Sequence, residues 1–127
     1  MKLLWIFLLG FCFYLTSGPW SLSTVWAHAF PDHAEPRVGS RVKTPPKTVR
    51  IWFDGYLEPA FSRIEVYNED PKRVDQDNGR VSPSDPVLLE VSLPPLPPGR
   101  YRVVWDVVAV DGHRTEGDFS FTVEATP

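Results

Sequence analysis

Five stretches of this chain place apolar residues at every second position, and no long stretch places them at helical spacing. In "TVRIWF" the residues on one face are Val49, Ile51 and Phe53. In "SRIEVYN" they are Ile64 and Val66, with Arg63 and Glu65 opposite. "VLLEVSL" alternates Val87, Leu89, Val91 and Leu93 against Leu88, Glu90 and Ser92. "YRVVWDVVAV" lines up Tyr101, Val103, Trp105, Val107 and Ala109, and "DFSFTVE" lines up Phe119, Phe121 and Val123. A strand whose side chains alternate between core and water must pack its apolar face on a second layer. The pattern therefore predicts an all-β fold, an antiparallel β-sandwich or Greek-key barrel of about seven strands.

The breaks between the runs agree. Pro45-Pro46, Glu58-Pro59, Asn78-Gly79 and the "PPLPPG" stretch from Pro94 to Gly99 are turn chemistry. Asn68 to Pro86 is polar and rich in turn residues. It reads as a long loop, or as a short hairpin whose turn is Asn78-Gly79. Most of Trp52, Phe53, Phe61, Trp105, Phe119 and Phe121 fall at inward positions and are expected in the core. Trp52 has the opposite parity to Ile51 and Phe53, so it belongs at an edge or on the surface.

The N-terminus reads as an export signal. Lys2 precedes an apolar run, Leu3 to Leu15, that is short for a membrane-spanning helix. Val25 and Ala27 stand at the small-residue positions of a cleavage site, whereas Trp26 is too bulky for the last one. The expected organisation is a signal peptide, residues 1–27, and one β domain, residues 28–127, in the periplasm or, without an outer membrane, outside the cell. Cutting there removes one of 13 Lys+Arg and none of 16 Asp+Glu, which changes the net charge from −3 to −4. That balance argues against nucleic-acid partners and against anionic membrane surfaces. The single cysteine, Cys12, and the single methionine, Met1, both lie in the signal. The exported domain therefore has neither disulfide nor sulfur ligand.

Three histidines remain: His28, His33 and His113. Cleavage after Ala27 would make His28 the first residue. A free N-terminal histidine offers an α-amine and an imidazole nitrogen that together close a chelate ring on a metal. The amine's ordinary pKa, about 7.7–8.0, lets a divalent ion displace its proton near neutrality. In "AVDGHRTEGDF", Asp111 and His113 are two apart, so an extended backbone would project them to one side, with Gly112 allowing a bend toward one spot. The same letters also suit a plain β-turn with a solvated histidine. Three nitrogens and a carboxylate oxygen fit tetragonal Cu(II), which heads the divalent affinity order. Zinc accepts the same donors, and Cu(I), which prefers sulfur, does not suit them.

"HAFPDHAEPRVGS", "VRIWFDGYLEPAFSRIEVYN" and "LPPLPPGRYRVVWDVVAVDGHRTEGDFSFTV" together resemble the CopC family of periplasmic copper-binding, copper-resistance proteins over nearly all of residues 28–124. The resemblance implies a small Greek-key β-barrel or sandwich of immunoglobulin-like, cupredoxin-like topology that binds one Cu(II) per chain through His28, Asp111 and His113. It implies a monomeric carrier or buffer in copper homeostasis, not an enzyme, with an inner-membrane CopD-like transporter or efflux protein as partner. The chain lacks the Met-rich loop with which some members bind Cu(I), so it resembles the Cu(II)-only type. His33 stands where many relatives have serine and is an auxiliary ligand or a surface residue. Two rival readings are a small copper monooxygenase using the N-terminal histidine, and a metal-free immunoglobulin-like interaction module.

Overall fold

The computed structural model describes residues 28–126; the expected signal peptide lies outside them. In chain order the strands are β1 (Pro31–Glu35), β2 (Arg41–Val42), β3 (Thr48–Phe53), β4 (Arg63–Tyr67), β5 (Arg80–Ser82), β6 (Asp85–Ser92), β7 (Gly99–Val108) and β8 (Arg114–Val123). One 3-10 turn, Pro59–Phe61, precedes β4. The strands form two four-stranded sheets, β1-β3-β6-β5 and β2-β8-β7-β4. All pairings are antiparallel except β2 with β8. The chain changes sheet at every connection except the β5–β6 and β7–β8 hairpins. This is the expected all-β sandwich, with eight strands where about seven were expected.

The alternating residues meet between the sheets. Val49, Ile51 and Phe53 from β3 face Ile64 and Val66 from β4 and Val103, Trp105 and Val107 from β7, all buried. Trp105 stands edge-on to Phe53, ring centroids 5.3 Å apart. Its indole also covers Gly117, its cross-strand partner on β8. A β-carbon at Gly117 would lie 2.6 Å from Trp105 Cζ2, so glycine is what lets the indole lie flat there.

Three expectations change. The β5–β6 hairpin exists, but its turn joins Ser82 to Asp85, not Asn78 to Gly79. Asn78 instead pins the loop to β6: its amide donates to Ser92 Oγ at 2.9 Å, and its Oδ1 accepts the Ser92 N–H at 2.9 Å. Gly79 is required by close approach, since a β-carbon there would meet Ile64 O at 2.8 Å. Phe61 is not inward but 64% exposed. The 3-10 turn begun by Pro59 breaks the period-two pattern, and the buried position passes to Ser62. Trp52 does face outward, and it is half-buried because His33 stacks on it, centroids 4.5 Å apart and planes 8° from parallel.

Residues 68–79 lie along the free edge of β4. Val74 N–H donates to Val66 O at 2.8 Å, and Asp75 Oδ2 accepts the Val66 N–H at 2.8 Å. The loop thereby satisfies backbone groups that an open edge would expose.

Candidate metal centre

The N-terminal segment and the β7–β8 hairpin loop meet at one end of the sandwich. Beyond β7 the chain turns tightly: Ala109 N–H donates to His113 O, and Gly112 N–H to Ala109 O, both at 2.8 Å. Gly112 has φ of 90°, the left-handed region that glycine enters without strain. The Asp-Gly pair is therefore a turn, as one of the two sequence readings had it, and the turn itself brings Asp111 and His113 together. Asp111 Oδ1 accepts the His113 N–H at 3.0 Å, and Asp111 Oδ2 lies 3.1 Å from His113 Nδ1. The His113 N–H, chiefly, holds the Asp111 carboxyl below the usual aspartate range; burial opposes it, and the two imidazoles add smaller help. Asp111 is thus an anion at neutral pH.

His28 arrives from the other side. Its ring stands edge-on to His113, centroids 4.8 Å apart, and is 5.8 Å from the ring of Phe30. The backbone that carries His28 is held at three points. Thr115 Oγ1 on β8 donates to Ala29 O at 2.7 Å. Asp54 Oδ1 accepts the Phe30 N–H at 2.7 Å, and the Asp54 N–H donates to Phe30 O at 2.9 Å. The Ala29 side chain is 0% exposed and packs over Gly55.

The structure thus brings together His28, Asp111 and His113. Among the described residues, no three His, Cys, Asp or Glu side chains are already gathered as a metal cluster. The Asp111 carboxylate is directed at His113. His33 lies elsewhere, on the outer face of the first sheet, with Nδ1 2.8 Å from Asp32 Oδ2 and its ring on Trp52. Sequence reasoning missed the backbone holders Thr115 and Asp54, because their partners lie 86 and 24 residues away in the chain. It also missed an apolar rim. Of the five exposed large apolar side chains among the described residues, Phe30, Tyr56, Phe61 and Val110 belong to segments that converge at this end. Val110 N–H donates to Tyr56 O at 3.0 Å, and Glu58, which opens the turn carrying Phe61, donates its N–H to Val108 O at 2.8 Å.

The CopC domain model matches residues 32–124. The chain belongs to the CopC family. The match includes Asp111 and His113 and begins just after the segment that carries His28. CopC from Methylosinus trichosporium OB3b superposes with a TM-score of 0.68 at 33% identity, over 76% of this chain and 94% of that one. PcoC from Escherichia coli, described as a methionine-rich copper resistance protein, gives 0.67 at 30% identity, over 77% of this chain and all of that one. This CopC-family chain is also 32% identical over 102 residues to YobA of Escherichia coli K12, covering 80% of this chain and 82% of YobA. It is 33% identical over 120 residues to the copper transport protein CutJ of Bacillus subtilis, covering 94% of this chain. It spans about a fifth of CutJ's length, 21%. Unlike the methionine-rich PcoC, it has a single methionine, Met1.

Proposed function

We propose that this CopC-family domain is exported and carries one Cu(II) ion between His28, Asp111 and His113 as cargo, without turning over a substrate. The observation that carries the reading is the contact between the His28 and His113 rings, 4.8 Å between centroids, with the Asp111 carboxylate beside them. Two imidazoles this close can both bond one ion at about 2 Å per nitrogen.

Cleavage after Ala27 supplies the remaining donor. In the full-length chain His28 N is an amide and cannot ligate as an amine. After the cut it is an α-amine on the same residue as an imidazole. The amine and the two imidazoles give three nitrogens, and Asp111 supplies an oxygen and a negative charge. This donor set favours Cu(II) over other divalent ions by affinity order, and over Cu(I) by the absence of sulfur.

The family membership and the copper-related names of PcoC and CutJ support a role in copper homeostasis or resistance, in the periplasm or its equivalent. The exposed apolar side chains Phe30, Tyr56, Phe61 and Val110 at this end support hand-over to a docked protein, because a partner that covers them would let its donors displace these ligands away from bulk water. A CopD-like membrane transporter suits that part. In CutJ, the stretch that matches this chain is joined to a much longer remainder.

The test is the intact mass of the exported protein with and without copper, combined with electron paramagnetic resonance. The expected result is a chain starting at His28, one Cu(II), and a tetragonal signal with nitrogen couplings. A chain starting elsewhere, or a signal without nitrogen coupling, overturns the proposal.

A further inference from the structure

We infer that Thr115 and Asp54 are positioning residues for the copper site: they hold the backbone of the cut N-terminus so that the His28 amine and imidazole stay opposite His113. This inference rests on the site proposed above and concerns residues that bond no metal themselves.

A chain end normally frays, and a fraying first residue makes a poor chelate, because each binding event must reorder it. Here β1 begins only at Pro31, so three residues would separate the cut from the sheet. Two of them, Ala29 and Phe30, are held by hydrogen bonds to Thr115 and Asp54. Thr115 Oγ1 donates to Ala29 O at 2.7 Å. Thr115 sits on β8 two residues after His113, which ends the β7–β8 loop, so this bond ties the His28 segment to the strand that leads out of the loop carrying the other imidazole. Asp54 accepts the Phe30 N–H through Oδ1 at 2.7 Å and returns its own N–H to Phe30 O at 2.9 Å. Between these bonds the buried Ala29 methyl rests over Gly55, with 3.6 Å from Ala29 Cβ to the position a Gly55 β-carbon would take. The last residue held is one position from His28. The arrangement removes conformational freedom from the residues directly behind His28, which is how outer-shell groups tune a metal site.

The experiment uses Cu(II) alone as probe, with affinity read by competition against a chelator and coordination read by electron paramagnetic resonance. It is run on protein starting at His28 and on the same protein with one extra glycine ahead of His28. In the His28-start protein, Thr115→Val and Asp54→Ala should each weaken Cu(II) binding about tenfold or more, the loss typical of an outer-shell change. Each should also alter the nitrogen couplings. Thr115→Ser and Asp54→Asn, which keep a donor and an acceptor, should restore both. In the glycine-extended protein the chelate is already broken, and neither substitution should matter further. Equal weakening in both backgrounds, or unchanged binding in the His28-start variants, overturns the inference while the site itself stands. A His28-start parent without amine coupling overturns the site and the inference together. Near-ultraviolet circular dichroism of each metal-free variant checks that the sandwich is intact.

Discussion

His28 and His113, from opposite ends of the described chain, stand ring to ring with centroids 4.8 Å apart. Neither belongs to the apolar core, so the fold does not need the contact for its own stability. Their removal should therefore be separable from folding. His113→Ala should weaken Cu(II) binding by more than about a hundredfold, beyond the range of an outer-shell change, and leave the melting temperature of the metal-free protein nearly unchanged. Asp111→Ala should cost less, because water can take an oxygen position. His33→Ala should have the smallest effect of these three substitutions, since His33 is engaged with Asp32 and Trp52. Isothermal titration with Cu(II) reads all three, and loss of binding only in His33→Ala would reverse the ligand assignment.

Metal-free protein should fold. Twenty-one buried apolar residues join in one cluster between the sheets, without disulfide or metal staple. Binding to the folded state alone then adds stability by mass action, about 2.7 kcal/mol at a hundredfold excess of free copper over Kd. Thermal unfolding should be cooperative without copper and shift upward with it. A metal-free chain with no cooperative transition would contradict the self-sufficient core.

The parts legible in the sequence are those fixed by parity. Val103 and Trp105 had to share a face because a strand alternates, whatever surrounds it. β1 and β2 were not legible. In β1 only Ala34 is buried, and β2 is two residues long, so neither shows a period. The Asn78-Gly79 pair looked like a turn because its usual use is local, whereas here Asn78 bonds Ser92 and Gly79 admits Ile64. The site divides the same way. Asp111 and His113 are near neighbours in the chain, and their turn follows from Gly112. His28 could be singled out only through the cleavage pattern and family resemblance, and nothing local marks Thr115 or Asp54 as its supports.

Gly117→Ala should destabilise the fold. The new β-carbon would lie 2.6 Å from Trp105 Cζ2 and 2.9 Å from Cε2. The indole cannot retreat freely, because it is packed against Phe53. Overpacking of this kind costs about 1–3 kcal/mol. The expected readout is a lower midpoint in denaturant and a changed tryptophan signal in near-ultraviolet circular dichroism. Unaltered stability would mean that the ring has room the structure does not show.

Acid should loosen the loop over β4 through Asp75. Its side chain is 0% exposed. Burial alone would push its carboxyl up, but hydrogen bonds from Arg73 and from the Val66 and Asp77 backbone N–H groups outweigh this and hold it below the usual aspartate range. A carboxyl whose pKa is lower folded than unfolded contributes stability above the unfolded value, about 3.9. That contribution is lost as pH falls through the folded value. At pH 7, Asp75→Ala should cost about 1–3 kcal/mol, because it leaves the part-buried Val66 N–H without its acceptor, while Arg73 keeps Asp77 at 2.9 Å and Glu65 at 3.5 Å. The gap between wild type and variant should hold down to about pH 4 and narrow below it, as the wild-type carboxylate takes up its proton. Denaturant titrations at pH 7, 4 and 3 would show the trend. A gap that stays constant to pH 3 would mean that Asp75 stabilises by shape and not by charge.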